Sequence, residues 1–163
     1  VGATAWMALQ TPYIADYAPQ GCLEYYASGT GICERAKELV RADKSDRGEL
    51  RQMPRPPITT RRVFEAFGHG DHIAKAVIDK AVEMWGMATA NFVSLLNPEK
   101  IIWGGGVFCS ARSLVGRIYE ESKKWAQPLS IKTVSLEATM LDGDEVILGA
   151  AFLALNRGKV EFK

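Results

Sequence analysis

The sequence predicts an α/β fold in which helices cover a sheet, and two patterns carry this prediction. An apolar run at residues 101–103 and the apolar/polar alternation of residues 134–138 are each typical of a strand. These segments alternate with longer stretches whose apolar residues recur every three or four positions. Such alternation of strands and amphipathic helices is the pattern of layered α/β proteins. A chain of 163 residues has the size of one compact domain, so residues 1–163 are treated as a single domain.

The first third of the chain is predicted to contain a strand, a loop and one bent helix. Residues 1–9 end in the apolar run AWMAL, which is typical of a strand, and the two prolines of residues 10–20 favour a loop. A helix is expected over residues 23–41. Two glycines within residues 28–31 each weaken a helix by ~1 kcal/mol relative to Ala, so we expect the helix to bend there.

The polar residues 42–57 predict a surface connection and not a domain boundary. Because residues 41–62 contain seven Lys or Arg, a nucleic-acid patch is one interpretation of this segment. Acidic residues are interspersed, however, and the segment has no aromatic residue that could stack on a base. A solvated loop is the favoured interpretation.

Two helices are expected next, a short one and a long one. Thr60 is a good N-cap for a helix that ends at Phe67, and Asp71 is the expected cap of the helix after it. Over residues 72–96 the apolar positions form one stripe at helical spacing, which predicts a single long helix. Its second half is almost uncharged, so we expect it to pack against the sheet or against a second subunit.

The last third is predicted to contain a strand, a helix, a second strand and a final helix. The helix over residues 110–126 is expected to point Trp125 inward together with other apolar side chains. Asp142 or Asp144 is expected to cap the final helix, which ends near Asn156 before a glycine.

The most informative segment is residues 97–107, NPEKIIWGGGV, in which a short buried strand ends in three glycines and a helix follows. Glycines at the exit of a strand let the backbone approach a ligand that any Cβ would obstruct, so the pattern predicts a nucleotide site. A structural turn is the alternative. A dinucleotide-binding GxGxxG motif would need a glycine where Cys109 stands, which disfavours a Rossmann domain. The small residues 149–151 are expected to let the last helix pack close to this loop.

Composition argues against several classes of protein. A net charge of +1 gives no overall attraction to nucleic acid or to a membrane surface. No apolar run approaches the ~20 residues that span a bilayer, and the amino end shows no secretion signal, so a cytoplasmic protein without membrane partners is expected. The odd number and wide spacing of Cys22, Cys33 and Cys109 favour free core thiols in a reducing compartment.

Four blocks of the sequence resemble the carboxyl-terminal half of ROK-family proteins, which include sugar kinases and sugar-responsive repressors. The blocks are GCLEYYASGTGI at 21–32, ITTRRVFEAFGHGD at 58–71, LLNPEKIIWGGGV at 95–107 and DGDEVILGAAFLAL at 142–155. The resemblance implies an actin-like (ribonuclease-H-like) ATPase lobe with a mixed sheet covered by helices. It also implies a homodimer, because ROK proteins typically dimerize through this lobe.

The resemblance also implies roles for individual residues. The ROK glycine-rich loop holds the adenosine part of ATP, and it corresponds here to Gly104, Gly105, Gly106 and Val107. Glu24 lies in a block whose Glu accepts hydrogen bonds from sugar hydroxyls, a task that suits its two acceptor oxygens. The alternative for Glu24 is a first-turn acid that the helix dipole favours.

The chain departs from ROK kinases where the family places its sugar and zinc ligands. Ala3 and Trp6 stand at the Glu and His of the family's ExGH block, and Ala15 and Tyr17 replace two of its zinc cysteines. Only Cys22 remains, and one thiolate cannot form a tetrahedral site, so no zinc is predicted. Trp6 is either a core residue or an apolar face for a sugar ring.

The HGDH run at residues 69–72 could suggest a different metal site. The chain has only two His, and both lie in this run. Asp71 is better explained as a helix cap, so no metal ligand is assigned.

The expected function is the carboxyl-terminal nucleotide- and sugar-binding lobe of an ATP-dependent, hexose-type sugar kinase that uses Mg²⁺-ATP. The chain begins at Val1 without the DxGxT loop and catalytic Asp that ROK kinases place upstream. No catalytic residue is therefore assigned, and the chain alone is not expected to transfer a phosphoryl group. The expected partners are a sugar and the missing amino-terminal lobe. The alternatives are the sugar-sensing lobe of a ROK transcriptional regulator, which would involve nucleic acid, and a non-catalytic dimerization module.

Overall fold

The computed structural model describes residues 3–52, 58–141 and 143–156. Its α-helices and strands, in chain order, are α1 (Cys22–Ala27), α2 (Gly29–Ala42), α3 (Glu49–Gln52), α4 (Thr60–Gly68), α5 (His72–Leu96), β1 (Lys100–Trp103), α6 (Phe108–Ala111), α7 (Val115–Ser122), β2 (Ser135–Ala138) and α8 (Glu145–Leu155). Short 3₁₀ helices lie at Thr4–Trp6, Ala15–Tyr17, Arg112–Leu114 and Ser130–Lys132. Among the described residues, no helix is both long and apolar enough to cross a membrane.

The bend predicted at residues 28–31 is a break between α1 and α2. Ser28 has an extended ψ of 167°, and its hydroxyl accepts a hydrogen bond from the Gly31 N–H at 2.9 Å, so it is the N-cap of α2. A Cβ on Gly31 would lie 2.4 Å from the carbonyl oxygen of Glu24. The two helices can therefore approach this closely only because residue 31 has no side chain.

The long helix α5 lies at the centre of the core and confirms the prediction from its apolar stripe. Ile78, Met84 and Val93 are completely buried on it. Its second half packs closely on α7, where a Cβ on Gly86 would lie 2.5 Å from Cγ of Glu121. Residues 85–93 of α5 are thus largely buried by their own chain, whereas Leu95 and Leu96 at the end of the helix are 78% and 69% exposed.

The two predicted strands pair in parallel, with Lys100 opposite Ser135 and Trp103 opposite Ala138. The prediction that the first strand is buried is wrong, because Ile102 is 63% exposed. Parallel strands need a crossover connection, which α6 and α7 provide here. Because both strands run in the same direction, the loops that follow Trp103 and Ala138 lie at the same edge of the sheet. This edge carries the glycine-rich loop.

Two predictions for the first part of the chain are wrong in detail. A strand is predicted over residues 1–9, but the described residues 3–9 contain a 3₁₀ helix at Thr4–Trp6. No strand of the described chain pairs with these residues, and residues 1–2 lie outside the described part. The N-cap of α4 is Thr59, which has extended geometry and accepts the Arg62 N–H at 3.4 Å. Thr60 is already helical, and its hydroxyl donates to the Gly29 carbonyl at 2.7 Å.

The helix predicted over residues 110–126 is also wrong in its extent. The chain forms α6, a 3₁₀ turn and α7, which ends at Ser122. Trp125 therefore lies beyond the helix and is 57% exposed, and its indole N–H donates to Oε1 of Glu121 at 3.1 Å. Leu114 and Ile118 are buried as predicted.

Helix α8 is exposed on all sides, although it is almost entirely apolar. Its large apolar side chains, which are 49% to 85% exposed, are Val146, Ile147, Leu148, Phe152, Leu153 and Leu155. A Cβ on Gly149 would have no atom within 4 Å, and residues 149–151 are exposed. The prediction is therefore wrong about these small residues, because α8 approaches the glycine-rich loop through Glu145 instead. Asp144 occupies the N-cap position without a side-chain capping bond. Asp142, the alternative cap, and the glycine predicted to follow the helix lie outside the described part. Because helices that are apolar all round are normally buried, α8 has the composition of an interface element.

An ion pair between α5 and α7 predicts a dependence of stability on acid pH. Burial raises the pKa of Asp79, but hydrogen bonds from Lys75 and Arg117 outweigh it and bring the pKa below the ordinary value. The stabilisation is therefore present above the ordinary carboxyl pKa and is lost as pH falls through the lower, folded-state pKa. For so exposed a pair we expect less than ~1 kcal/mol after solvent screening. As pH is lowered from about 5 to 2, the melting temperature should fall more steeply for the parent than for Asp79→Asn. Parallel curves of melting temperature against pH would contradict the stabilising role of this ion pair.

Candidate functional site

A cavity of about 300 Å³ lies where the end of β1 faces the junction of α1 and α2. The residues that line it are Leu23, Glu24, Ala27, Ser28, Gly29, Trp85, Trp103, Gly104, Gly105, Val107 and Phe108. The structure thus brings Glu24 together with three of the four residues predicted to hold a nucleotide. Gly106 belongs to the same loop but does not line the cavity.

The backbone of the glycine-rich loop has the geometry that its sequence predicts. Gly105 has a φ of +90°, which side-chain-bearing residues rarely adopt. A Cβ on Gly105 or Gly106 would meet no atom within 4 Å, so the loop faces open space. The Phe108 N–H donates to the Gly105 carbonyl at 2.9 Å, and α6 begins there. The loop therefore offers bare backbone to the cavity.

Three aromatic side chains form one wall of the cavity, and the sequence did not assign them to the site. The rings of Trp103 and Phe108 stack with centroids 5.1 Å apart, and Trp85 packs 5.1 Å from Phe108. The indole Nε1 of Trp103 is buried and has no hydrogen-bond acceptor among the described residues. Such a wall favours contact with a flat ring or with the apolar face of a sugar. In the sequence, Trp103 and Phe108 flank the glycine-rich loop, and this position is the signal that could have assigned them to the site.

Glu24 lies in the first turn of α1, at the rim of the cavity. The residue is exposed, and its carboxylate has no hydrogen-bond or ion-pair partner among the described residues. Both predicted roles agree with this position, because a first-turn acid is favoured by the helix dipole and can also accept hydrogen bonds from a ligand.

Trp6 lies elsewhere, in a second cavity of about 500 Å³ that Tyr17 and Cys22 also line. Its side chain is 57% exposed, so the interpretation of Trp6 as a core residue is wrong. The structure does not place Trp6 in the cavity of Glu24. Burial raises the pKa of the Cys22 thiol, which disfavours the thiolate that binds metals.

The HGDH run is occupied by structural contacts. Asp71 accepts the Ala74 N–H at 2.8 Å and the Leu50 N–H at 3.1 Å, which confirms it as the cap of α5. Nδ1 of His69 lies 2.8 Å from Oε2 of Glu49, and Nδ1 of His72 lies 3.5 Å from Asp46. Within the described ranges, no group of three or more His, Cys, Asp or Glu side chains is arranged to hold a metal ion.

The cysteines and the described residues of the basic segment make structural contacts. The three thiols are free, but only Cys22 is buried, so the prediction of core thiols is wrong for Cys33 and Cys109. In the basic segment, the guanidinium of Arg47 donates to the backbone carbonyl of Asp46 at 2.9 Å, and that of Arg51 donates to the carbonyl of Val40. These two cations therefore stabilise their own loop, as expected for a solvated connection.

Comparison with known proteins agrees with this geometry. The chain matches the model of the ROK family over residues 18–157. It is 33% identical to a glucokinase from Halalkalibacterium halodurans, covering 82% of this chain and 40% of that protein. It is 30% identical to the DNA-binding transcriptional repressor Mlc from Escherichia coli, covering 82% of this chain and 32% of the repressor. The chain thus spans less than half the length of these relatives.

Among solved structures, the chain is similar to a ROK family glucokinase from Streptomyces griseus in complex with glucose and AMPPNP. The TM-score is 0.70 at 27% sequence identity, and the match covers 82% of this chain and 44% of the glucokinase. The predicted fold class, an α/β lobe of the actin-like ATPase type, is confirmed by this similarity. Because the match to the family model covers residues 18–157, most of its length, the chain belongs to the ROK family.

Proposed function

We propose that this chain is the carboxyl-terminal nucleotide- and sugar-binding lobe of an ATP-dependent, hexose-type sugar kinase. The observation that carries the proposal is the single cavity that Glu24 shares with the glycine-rich loop. A kinase must hold both substrates next to each other, and a cavity lined by a carboxylate and by the backbone of a glycine-rich loop supports that role. The related glucokinase that binds glucose and AMPPNP supports the same assignment.

In this proposal the adenosine part of ATP lies on Gly104, Gly105, Gly106 and Val107. The bare backbone of the loop allows close approach, and Trp103 supplies an aromatic face beside it. Magnesium would enter with the phosphates of ATP, since such ions are commonly held by substrate phosphates and one or two carboxylates. No zinc is assigned.

The sugar would be held by Glu24, whose two oxygens can accept hydrogen bonds from neighbouring hydroxyls. A sugar that lacks one of these hydroxyls would leave the carboxylate with an unpaired oxygen and would bind less well. Trp6 is a second proposed sugar contact, although it lines a different cavity from Glu24.

The proposed partner of this chain is the amino-terminal half of a ROK protein, which would supply the phosphate loop and the catalytic base. The exposed apolar side chains of α8 support this proposal, because a second lobe would cover them. On this proposal the chain alone transfers no phosphoryl group. A cytoplasmic homodimer is proposed for the whole protein on the basis of the family resemblance.

Binding to the two halves of the cavity can be tested by NMR titration of the chain with AMPPNP and, separately, with glucose. We expect AMPPNP to shift the amide resonances of Gly104–Val107 and glucose to shift those near Glu24. Glu24→Gln should weaken glucose binding by about tenfold, because one charged acceptor is lost, and should leave AMPPNP binding unchanged. Absence of any AMPPNP shift at the loop would contradict the nucleotide assignment.

The second candidate is the sugar-sensing lobe of a ROK transcriptional regulator, which the 30% identity to the repressor Mlc favours. The same titration separates the candidates, since a sensor should bind glucose or another sugar without AMPPNP. Specific retention of the full-length protein on operator DNA would support the regulator, and its absence would count against it. A dimerization module would bind neither ligand.

A further inference from the structure

The carboxylate of Glu145 connects the two loops that follow the two strands. Its Oε1 accepts a hydrogen bond from the Gly105 N–H, and its Oε2 accepts one from the Gly143 N–H at 3.0 Å. Gly105 belongs to the loop after β1 and Gly143 to the loop after β2. One side chain thus bridges both loops at the edge of the sheet where the candidate nucleotide site lies.

We infer that Glu145 is a positioning residue that clamps the glycine-rich loop in its ligand-binding geometry. This inference rests on the proposed nucleotide role of the loop. Glu145 does not line the cavity, so it would act through the loop and not by touching the ligand.

The backbone of both loops is shaped for this clamp. Gly105 and Gly143 have φ values of +90° and +99°, a region that glycine adopts without strain. A Cβ on Gly104 would lie 3.0 Å from Oε1 of Glu145, so the carboxylate packs directly against the loop backbone. A carboxylate suits this position because both of its oxygens accept and because an acid in the first turn of α8 is favoured by the helix dipole.

The clamp holds the backbone of two residues that line the cavity. Neither Gly105 nor Gly106 would bring a Cβ within 4 Å of any other atom, so no neighbouring atoms pack against the side-chain face of these two residues. With the bond from the Gly105 N–H to Glu145 in place, Gly104 and Gly105 are held where they line the cavity. Without it, the loop would sample more conformations, and a ligand would have to order it on binding.

The test compares Glu145→Ala, Glu145→Gln and the parent chain by amide hydrogen exchange and by AMPPNP titration. We expect Glu145→Ala to speed exchange at both Gly105 and Gly143 by at least about tenfold and to weaken AMPPNP binding by about tenfold, since hydrogen bonds to a charged acceptor are lost. Glu145→Gln keeps one acceptor oxygen and should restore part of the protection and of the affinity. Glu120→Ala removes an exposed acid from α7 and serves as the control that should change neither.

The outcomes separate the clamp from the proposed function. Unchanged exchange at Gly105 in Glu145→Ala would overturn the clamp. Faster exchange with unchanged AMPPNP affinity would overturn the positioning role and leave only a local structural bond. If the parent chain binds no AMPPNP, the proposed function fails, whereas the exchange rates still decide whether the clamp exists. Exchange of α5 amides in the same spectra verifies that each variant keeps its core.

Discussion

Replacing Gly31 by Ala is expected to lower the free energy of unfolding by about 3 kcal/mol, at the upper end of the cost of overpacking. The new Cβ would lie 2.4 Å from the carbonyl oxygen of Glu24 and 2.5 Å from that of Tyr25. Both atoms belong to the backbone of α1, so no side-chain rotation relieves the clash and the two helices must separate. Because the α1–α2 junction forms one side of the cavity, we expect glucose binding to weaken as well. Urea unfolding of the variant and the parent measures the change in stability.

Gly116→Ala is the matched control for this substitution. Gly116 also lies within a helix, α7, but a Cβ there would meet nothing within 4 Å. An exposed Gly to Ala change within a helix is expected to raise stability by roughly 0.5–1 kcal/mol. The pair therefore predicts opposite signs for the same chemical change. A Gly31→Ala variant as stable as the parent would show that α1 and α2 do not pack as closely as the structure has them.

Asp71→Ala is expected to cost about 2–4 kcal/mol, because it removes a helix cap and leaves buried donors unpaired. Asp71 is 7% exposed. Its carboxylate accepts hydrogen bonds from two backbone N–H groups, that of Ala74 in α5 and that of Leu50 in α3. It therefore stabilises the start of the central helix and also holds the connecting segment against it. Asp71→Asn keeps one acceptor oxygen and should lose less. Chemical denaturation of the three proteins is the measurement.

The control for this prediction is Asp144→Ala. Asp144 has the same position relative to α8 that Asp71 has to α5, but it makes no side-chain capping bond. We expect its loss to change stability by less than ~0.5 kcal/mol, the usual range for a surface substitution. Equal effects at Asp71 and Asp144 would contradict the assignment of the cap.

The contrast between these two aspartates shows where sequence patterns succeed and where they fail. Both precede a predicted helix. The sequence favours Asp71 as the cap of one helix and either Asp142 or Asp144 as the cap of the other. At Asp71 the capping geometry is confirmed, because α5 is packed on the core and its start is fixed. At Asp144 the chain has a φ of −84° and a ψ of −1°, which is helical and not the extended geometry that a capping side chain needs.

The sequence by itself determined the features that depend on neighbouring residues. The apolar stripe of residues 72–96 specifies α5, since its period matches one helix face. The glycines after Trp103 specify a loop with a positive φ, because only glycine adopts it without strain. The break at Ser28 follows from two glycines and a capping side chain within a few residues.

Tertiary structure alone decided which distant residues meet. The cavity joins Glu24 to Trp85 and Gly104, and the clamp joins Gly105 to Glu145, which are 40 residues apart. The packing of α1 against α5 and the parallel pairing of β1 with β2 create these contacts, and no local periodicity encodes them. Tertiary structure also decides whether α8 is covered. The apolar sequence of α8 shows that the helix needs a covering surface, but it does not show which part of a protein provides that surface.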